Sequence, residues 1–290
     1  MPFNKKYHVI ENAPSQLDWE EYCSKSLMEY QLILENCSDD ETVFQKFFEE
    51  NPSFLPGGLE LFGNSGHYPY MDALISQPEI GGVFRRIPDY VWLANDSLTF
   101  APVFIEIEKP SKKMFNLNDT VTASFSQAYG QIQEWKYILN QPINIQIMYE
   151  YFDLPLDMRK KTFKPQFLLV YGRRDEYDGN HWRTGIRASY KTDDIDIMSY
   201  DRLKPISDYR QFISCKLSHG TYNVLNIPPT FRYRADCSEE LVSMNGFYQK
   251  IDSMKYTSEE RKKFLKDRYE YWCRFGRMDS KGIICGHEGE

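Results

Sequence analysis

The chain has no apolar run of the roughly 18 residues that a membrane-spanning helix needs, so no membrane association is expected. Its opening stretch, MPFNKKYHVIENAPS, lacks the apolar segment of a secretory signal and points to the cytoplasm. None of the six cysteines (Cys23, Cys37, Cys215, Cys237, Cys273, Cys285) forms a Cys-x-x-Cys pair. A zinc framework is therefore not expected, and scattered reduced thiols fit best. Cys285-x-His287 offers two ligands, fewer than a structural zinc requires. A surplus of positive charge is missing as well. Lys and Arg total 35 against 42 Asp and Glu, a net charge of −7. That balance argues against a wide grip on nucleic acid. Basic residues do cluster locally at Arg85-Arg86, Lys112-Lys113, Arg159-Lys160-Lys161 and Arg173-Arg174. Such patches steer a polyanion despite a negative total, although solvated surface is the ordinary reading of each. There is no internal repeat and no low-complexity tract.

What the chain does have is length and aromatics. Its 290 residues include 21 Tyr and 19 Phe, enough for a substantial core. Residues 15–37 read as an amphipathic helix, with Trp19, Cys23, Leu27, Tyr30, Leu34 and Cys37 recurring at steps of three and four. Ser38-Asp39-Asp40-Glu41 offers an N-cap for a second helix that ends at Asn51-Pro52. Residues 53–82 are rich in Gly and Pro and read as irregular, with His67 as a loop residue. Val83–Leu93 and Thr99–Glu108 are β-rich and separated by Asn95-Asp96-Ser97, a hairpin signal.

Pro110–Thr120 is loop-like. A helix over about 121–139 follows, with the apolar stripe Val121, Phe125, Ala128, Ile132, Trp135 and Leu139. Trp135 belongs to that core face. Ile143, Ile145, Ile147 and Tyr149 alternate as a strand would, and the charged segment Asp153–Pro165 reads as a loop. Phe167–Tyr171 and Ile195–Ser199 are further strands. His181 lies in a polar loop and receives no role. After Leu203 the signal weakens, until a last helix starts at Thr257, which has capping-box spacing to Glu260. The order of elements is that of an α/β domain with a mixed central sheet flanked by helices.

The chemistry-bearing stretch is Ile87-Pro88-Asp89-Tyr90, then Phe104-Ile105-Glu106-Ile107-Glu108-Lys109-Pro110. A hairpin turning near 95–98 sets Asp89 opposite Glu106, within a residue or two. Strand alternation puts Glu106 and Glu108 on one face and Lys109 on the other. Three carboxylates so placed repel one another unless a cation offsets them. A divalent ion with oxygen ligands, Mg²⁺ or Mn²⁺, answers that need at Asp89, Glu106 and Glu108. An exposed strand face with solvated carboxylates would carry the same pattern.

Pro88-Asp89 followed by Glu106-x-Glu108-Lys109 resembles the motif of the PD-(D/E)XK nuclease superfamily. Within it, the chain is similar to the Shedu antiviral defence nucleases. The likeness runs through Glu41–Pro56, Ile87–Leu93, Val103–Leu139 and Phe167–Leu203, covering roughly residues 40–205. It implies a restriction-endonuclease-like domain over 40–205, a helical N-terminal extension over 1–39, and a C-terminal extension over 206–290. It also implies a Mg²⁺-dependent DNA endonuclease or nickase of phage defence, acting as a homo-oligomer. Asp89 and Glu106 would be its metal carboxylates. The third motif position, usually Lys, is Glu108 here, which would bind metal or act as general base, with Lys109 beside it. That departure keeps open a catalytically silent DNA-binding or regulatory module on the same fold, and a phosphohydrolase acting on nucleotides. Gln131, four residues before Trp135, matches the helix motif after the Glu strand. It reads either as an orienting residue of the site or as a polar rim residue. Arg173 and Arg174 would bind phosphate oxygens, or pair with Asp175 or Glu176. Lys112 and Lys113 join them as candidate nucleic-acid contacts.

Overall fold

A computed structural model describes residues 4–59, 67–80 and 87–290. The chain opens with helices α1 (Trp19–Asn36) and α2 (Glu41–Glu50) and strands β1 (Ala73–Ser76), β2 (Tyr90–Trp92), β3 (Thr99–Phe100) and β4 (Val103–Ile107). Next come helices α3 (Ala123–Leu139), α4 (Pro142–Tyr151) and α5 (Leu156–Arg159), strands β5 (Thr162–Phe163) and β6 (Gln166–Val170), helix α6 (His181–Ser189) and strand β7 (Ile195–Met198). The remainder supplies β8 (Ile213–Ser218), β9 (Thr221–Asn226), α7 (Ser238–Ser243), β10 (Met244–Asn245), α8 (Phe247–Asp252) and α9 (Glu259–Gly276).

Eight strands form one mixed sheet in the order β10-β9-β8-β1-β2-β4-β6-β7. Strand β2 pairs antiparallel with β1 and β4, while β6 runs parallel to both β4 and β7. The short strands β3 and β5 pair apart from it. Alternation along each strand feeds two cores, one on each face. Phe104, Val91, Phe167 and Leu169 pack with α3, α4 and the C-terminal helices. Val103, Ile105, Tyr90, Trp92, Leu168 and Val170 pack with the aromatic faces of α1 and α2. The arrangement is the α/β class with a mixed central sheet flanked by helices.

Local chemistry accounts for the helix starts. The Asp18 carboxylate caps α1 by accepting from the Glu20 and Glu21 amides, so that helix begins at Trp19 rather than at 15. Its buried face is Tyr22, Ser26, Tyr30 and Leu34, one residue away from the stripe through Trp19, Cys23 and Leu27. Asp40 caps α2 through the Thr42 amide, and Phe44, Phe47 and Phe48 fill the sheet face behind it. Ser258, not Thr257, caps α9 through the Arg261 amide at 3.2 Å.

Several expectations need correction. Ile143, Ile145, Ile147 and Tyr149 lie on helix α4, not on a strand. Pro142 sits in its first turn, where a missing N–H costs nothing, and burial of Met148 and Tyr149 decides against alternation. The segment 153–165 is not all loop, since it carries α5 and β5. Strand β3 leaves the hairpin and pairs with β5, so only β4 faces β2. The stretch after Leu203 contributes β8, β9 and β10 to the main sheet, with β8 parallel to β1. Residues 83–86, with Arg85 and Arg86, lie outside the described residues. All six cysteines are free, and no helix among the described residues is long and apolar enough to cross a membrane.

Candidate active site

The ladder between β2 and β4 pairs Tyr90 with Ile105 and Trp92 with Val103. One step further along that antiparallel register, Asp89 stands opposite Glu106. Val91 and Phe104 belong to the core beside α3, so alternation places Asp89 and Glu106 on that same face. The Asp89 carboxylate reaches across the ladder and accepts from the Ile107 amide at 2.8 Å. Gln131, buried on α3, donates from Nε2 to Glu106 Oε1 at 2.8 Å. That contact fixes the Glu106 rotamer. The second oxygen, Oε2, is sealed from solvent and has no hydrogen-bond partner among the described residues.

The electrostatics follow from this crowding. Burial pushes the Asp89 carboxyl up to about 7, and the charges of Glu41 and Glu108 add to it against the Ile107 hydrogen bond. Burial also holds Glu106 well above the usual carboxylate range, reinforced by Asp89, Glu108 and Glu41 and opposed by Gln131. Glu41, at the first turn of α2, is raised by burial and by Glu108, with Lys112 and Lys109 opposing. Four carboxylates thus feel one another at the end of β2 and β4.

One cation answers them directly. Lys112 is bonded to the Glu108 carboxylate one helical-turn spacing away in sequence. Burial works against its ammonium, but the Glu108 hydrogen bond and charge outweigh burial and raise its pKa. Lys109 lies on the other side and pairs with Asp39 at 3.6 Å, a solvent-exposed contact. Glu108 is therefore paired with Lys112 through one oxygen, and its carbonyl accepts from the Tyr200 hydroxyl at 2.6 Å. Among the described residues, no three His, Cys, Asp or Glu side chains are gathered in reach of a single metal ion. What fits a cation is the narrower set of Asp89 and the unpartnered oxygen of Glu106. Magnesium commonly takes only one or two protein carboxylates and keeps several waters.

The loop carrying Lys112 is anchored by the segment that follows β6. Glu176 accepts from the amides of Met114 and Phe115 at 2.9 and 2.7 Å. Gly172, at φ +64°, leaves room for the Lys112 carbonyl, which a Cβ would approach to 2.8 Å. Gly172→Ala combines a left-handed backbone with a clash against a main-chain oxygen, so it should cost about 1–3 kcal/mol. Chemical denaturation would register this as a lower midpoint at unchanged slope. A midpoint equal to wild type would show that the loop gives way easily.

The remaining candidates are dispersed. Arg173 donates from Nε to Asp201 at 2.9 Å, not to Asp175 or Glu176. Asp201 also accepts from the Arg174 amide, while the Arg174 side chain has no partner among the described residues. Lys113 pairs with Asp175 at 3.5 Å on the surface. Among the described residues of the basic clusters, only Lys112 is bonded to a member of the carboxylate cluster. Sequence reasoning left out Glu41 and named Lys112 as a candidate nucleic-acid contact, not as a partner of Glu108. Glu41 was visible only as a helix-start acid. The role of Lys112 was signalled by its four-residue spacing from Glu108.

The family model described as Shedu protein SduA, C-terminal, matches residues 38–203. No curated protein matches the chain. The matched stretch contains Glu41, Asp89, Glu106, Glu108, Lys112 and Gln131, and it spans more than half of the sequence. The chain belongs to the Shedu family, which is associated with antiphage defence.

Proposed function

We propose that this chain is a Mg²⁺- or Mn²⁺-dependent DNA endonuclease or nickase of antiphage defence, with a PD-(D/E)XK-type site at the end of β2 and β4. The single observation that carries the reading is the pair of buried, mutually repelling carboxylates, Asp89 and Glu106, with Glu106 Oε2 left unpartnered. Natural proteins rarely keep such a pair at neutral pH without a compensating ligand. Asp89 and Glu106 would hold the divalent ion. When bound, that ion supplies charge neutralisation at a phosphodiester and a more acidic water.

The chain's own groups have separate tasks. Gln131 holds Glu106 in one rotamer. In this reading Glu108, paired with Lys112, would accept the proton of the attacking water, and Lys112 would offset charge on the phosphate. Glu41 adds negative potential that strengthens cation binding. The domain boundaries near 40 and 205 and assembly into a homo-oligomer belong to the same reading.

Purified protein should nick supercoiled DNA or cut linear DNA with Mg²⁺, stop with chelator, and lose activity as Asp89→Asn. Absence of cleavage by wild type with either metal would end the enzymatic reading. The second reading, a silent DNA-binding or regulatory module, is favoured by the engagement of Glu108 with Lys112. DNA retention without any metal-dependent product would establish it.

A further inference from the structure

A second cluster of charge lies two strands away from the carboxylates. Strands β4, β6 and β7 run parallel, so the residues that follow them emerge at one edge of the sheet. At that edge a cavity of about 310 Å³ is lined by Arg174, Tyr177, Arg187, Lys191, Ile197 and Arg202. Four of the six are cationic and none is acidic.

Arg187 is the unusual member. It sits in the last turn of α6 and is only 7% exposed. Its guanidinium lies over the Tyr177 ring, 4.7 Å from the centroid. Nη1 has a weak contact with the Met114 sulfur at 3.9 Å, and Nη2 is sealed with no partner among the described residues. Two acids act on it from nearby, and both are engaged elsewhere. Glu176 is held by the Met114 and Phe115 amides, and Asp196 by Lys191 and the Ile197 amide. The side chains of Arg174 and Arg202 have no ion pair or hydrogen bond among the described residues.

A buried guanidinium without a directly paired carboxylate is costly: the charges of Glu176 and Asp196, both engaged elsewhere, do not make up for the desolvation of Arg187. Three arginines that are not spent on internal pairs, around a cavity of this size, match the planar, multi-donor recognition of phosphate oxygens. We infer that this cavity is a phosphate-binding site, distinct from the carboxylate cluster, in which Arg187, Arg174 and Arg202 would clamp the phosphate of a nucleic-acid strand or of a free nucleotide. Two strand spacings put it roughly 10 Å to the side of β4, at the same edge as Glu106 and Glu108. A strand engaged at the carboxylates would therefore pass close to it. The inference does not need cleavage to occur.

Isothermal titration of the full chain in chelator tests it with three probes: inorganic phosphate, adenosine monophosphate, and a short single-stranded oligodeoxynucleotide without terminal phosphates. At least one should bind to wild type. Arg187→Met should weaken that binding at least 10-fold and Arg202→Gln several-fold, while Lys160→Gln, in another basic cluster, leaves it unchanged. Arg202 is exposed, so its variant reports on the site even if the buried substitution perturbs folding. Preference for the oligonucleotide assigns the site to a strand's backbone phosphate; preference for the small probes assigns it to a free nucleotide. Binding by none of the three, or equal binding by wild type and both arginine variants, overturns the inference. Because metal is withheld, a failed nuclease assay and a failed binding assay remain separate results.

Discussion

Glu106→Gln should abolish metal-dependent cleavage and, in the same molecule, stabilise the metal-free protein. The activity side follows from the position of Glu106 as the carboxylate with an unpartnered oxygen. Removing partners that only support a metal ligand costs about 10–100-fold, so loss of the ligand itself should exceed roughly 100-fold. The stability side follows from sign. Asp89 and Glu106 are both raised in the folded state, Asp89 to about 7. A carboxyl raised on folding binds its proton more tightly in the native state than in the unfolded chain. Its contribution is therefore fully present below the ordinary carboxylate range and is lost as pH rises through the folded value.

The metal-free protein should accordingly lose thermal stability between about pH 5 and about pH 8. Glu106→Gln removes one of the repelling charges and should flatten that decline. Relief of one buried, unpaired charge is worth about 1–3 kcal/mol, or a few degrees in midpoint for a chain of this size. Divalent metal should restore the wild-type midpoint and leave the variant unchanged. Thermal melts across that pH range, with chelator and with Mg²⁺, check all three statements. A wild-type midpoint that climbs with pH, or a variant that melts lower than wild type at about pH 8 without metal, would show that the carboxylates are not under mutual strain.

How much of this was legible beforehand differs by element. The strands beside Asp89 and Glu106 could be found because Pro-Asp, a turn at Asp96 and a β-rich run set the ladder to within a residue or two. The Asp96 carboxylate does accept from the Leu98 and Thr99 amides. Gln131 was singled out by the resemblance of Gln131-x-x-x-Trp135 to a helix motif, on a helix that its apolar stripe made legible. The isoleucines of α4 misled because β-branched alternation looks the same whether neighbours bury it as a strand or only Met148 and Tyr149 face inward. Ile213, Cys215 and Leu217 alternate with polar residues in β8, but Ser214 between them is fully buried, so its burial does not follow the apolar–polar alternation. The partners of Arg173 and Lys109 lie 28 and 70 residues away at Asp201 and Asp39. Such pairings depend on the tertiary fold, and no local pattern announces them.

Lys112, rather than Lys109, should prove to be the lysine on which cleavage depends. In the motif that Pro88-Asp89 and Glu106-x-Glu108 resemble, the last position is usually Lys, and here it is Glu108. Strand alternation sends Lys109 to the opposite face, where Asp39 holds it in solvent. The chain turns at Pro110, and the next basic residue returns to the carboxylates with its ammonium on Glu108. Gly172 and Glu176 then lock the loop that carries it. A positioned cation beside a transferring phosphoryl group is worth about 10²–10³ in rate. Lys112→Met should therefore lower kcat by about that factor, while Lys109→Met stays within about threefold of wild type, as an exposed pair should. Lys112→Arg should recover part of the loss, since the charge is kept and only its shape changes. A purely structural role predicts a different split: Lys112→Met would then lower the melting point but leave single-turnover cleavage by the folded fraction intact. If Lys109→Met proves the more damaging of the two, the lysine has been assigned to the wrong face of the strand.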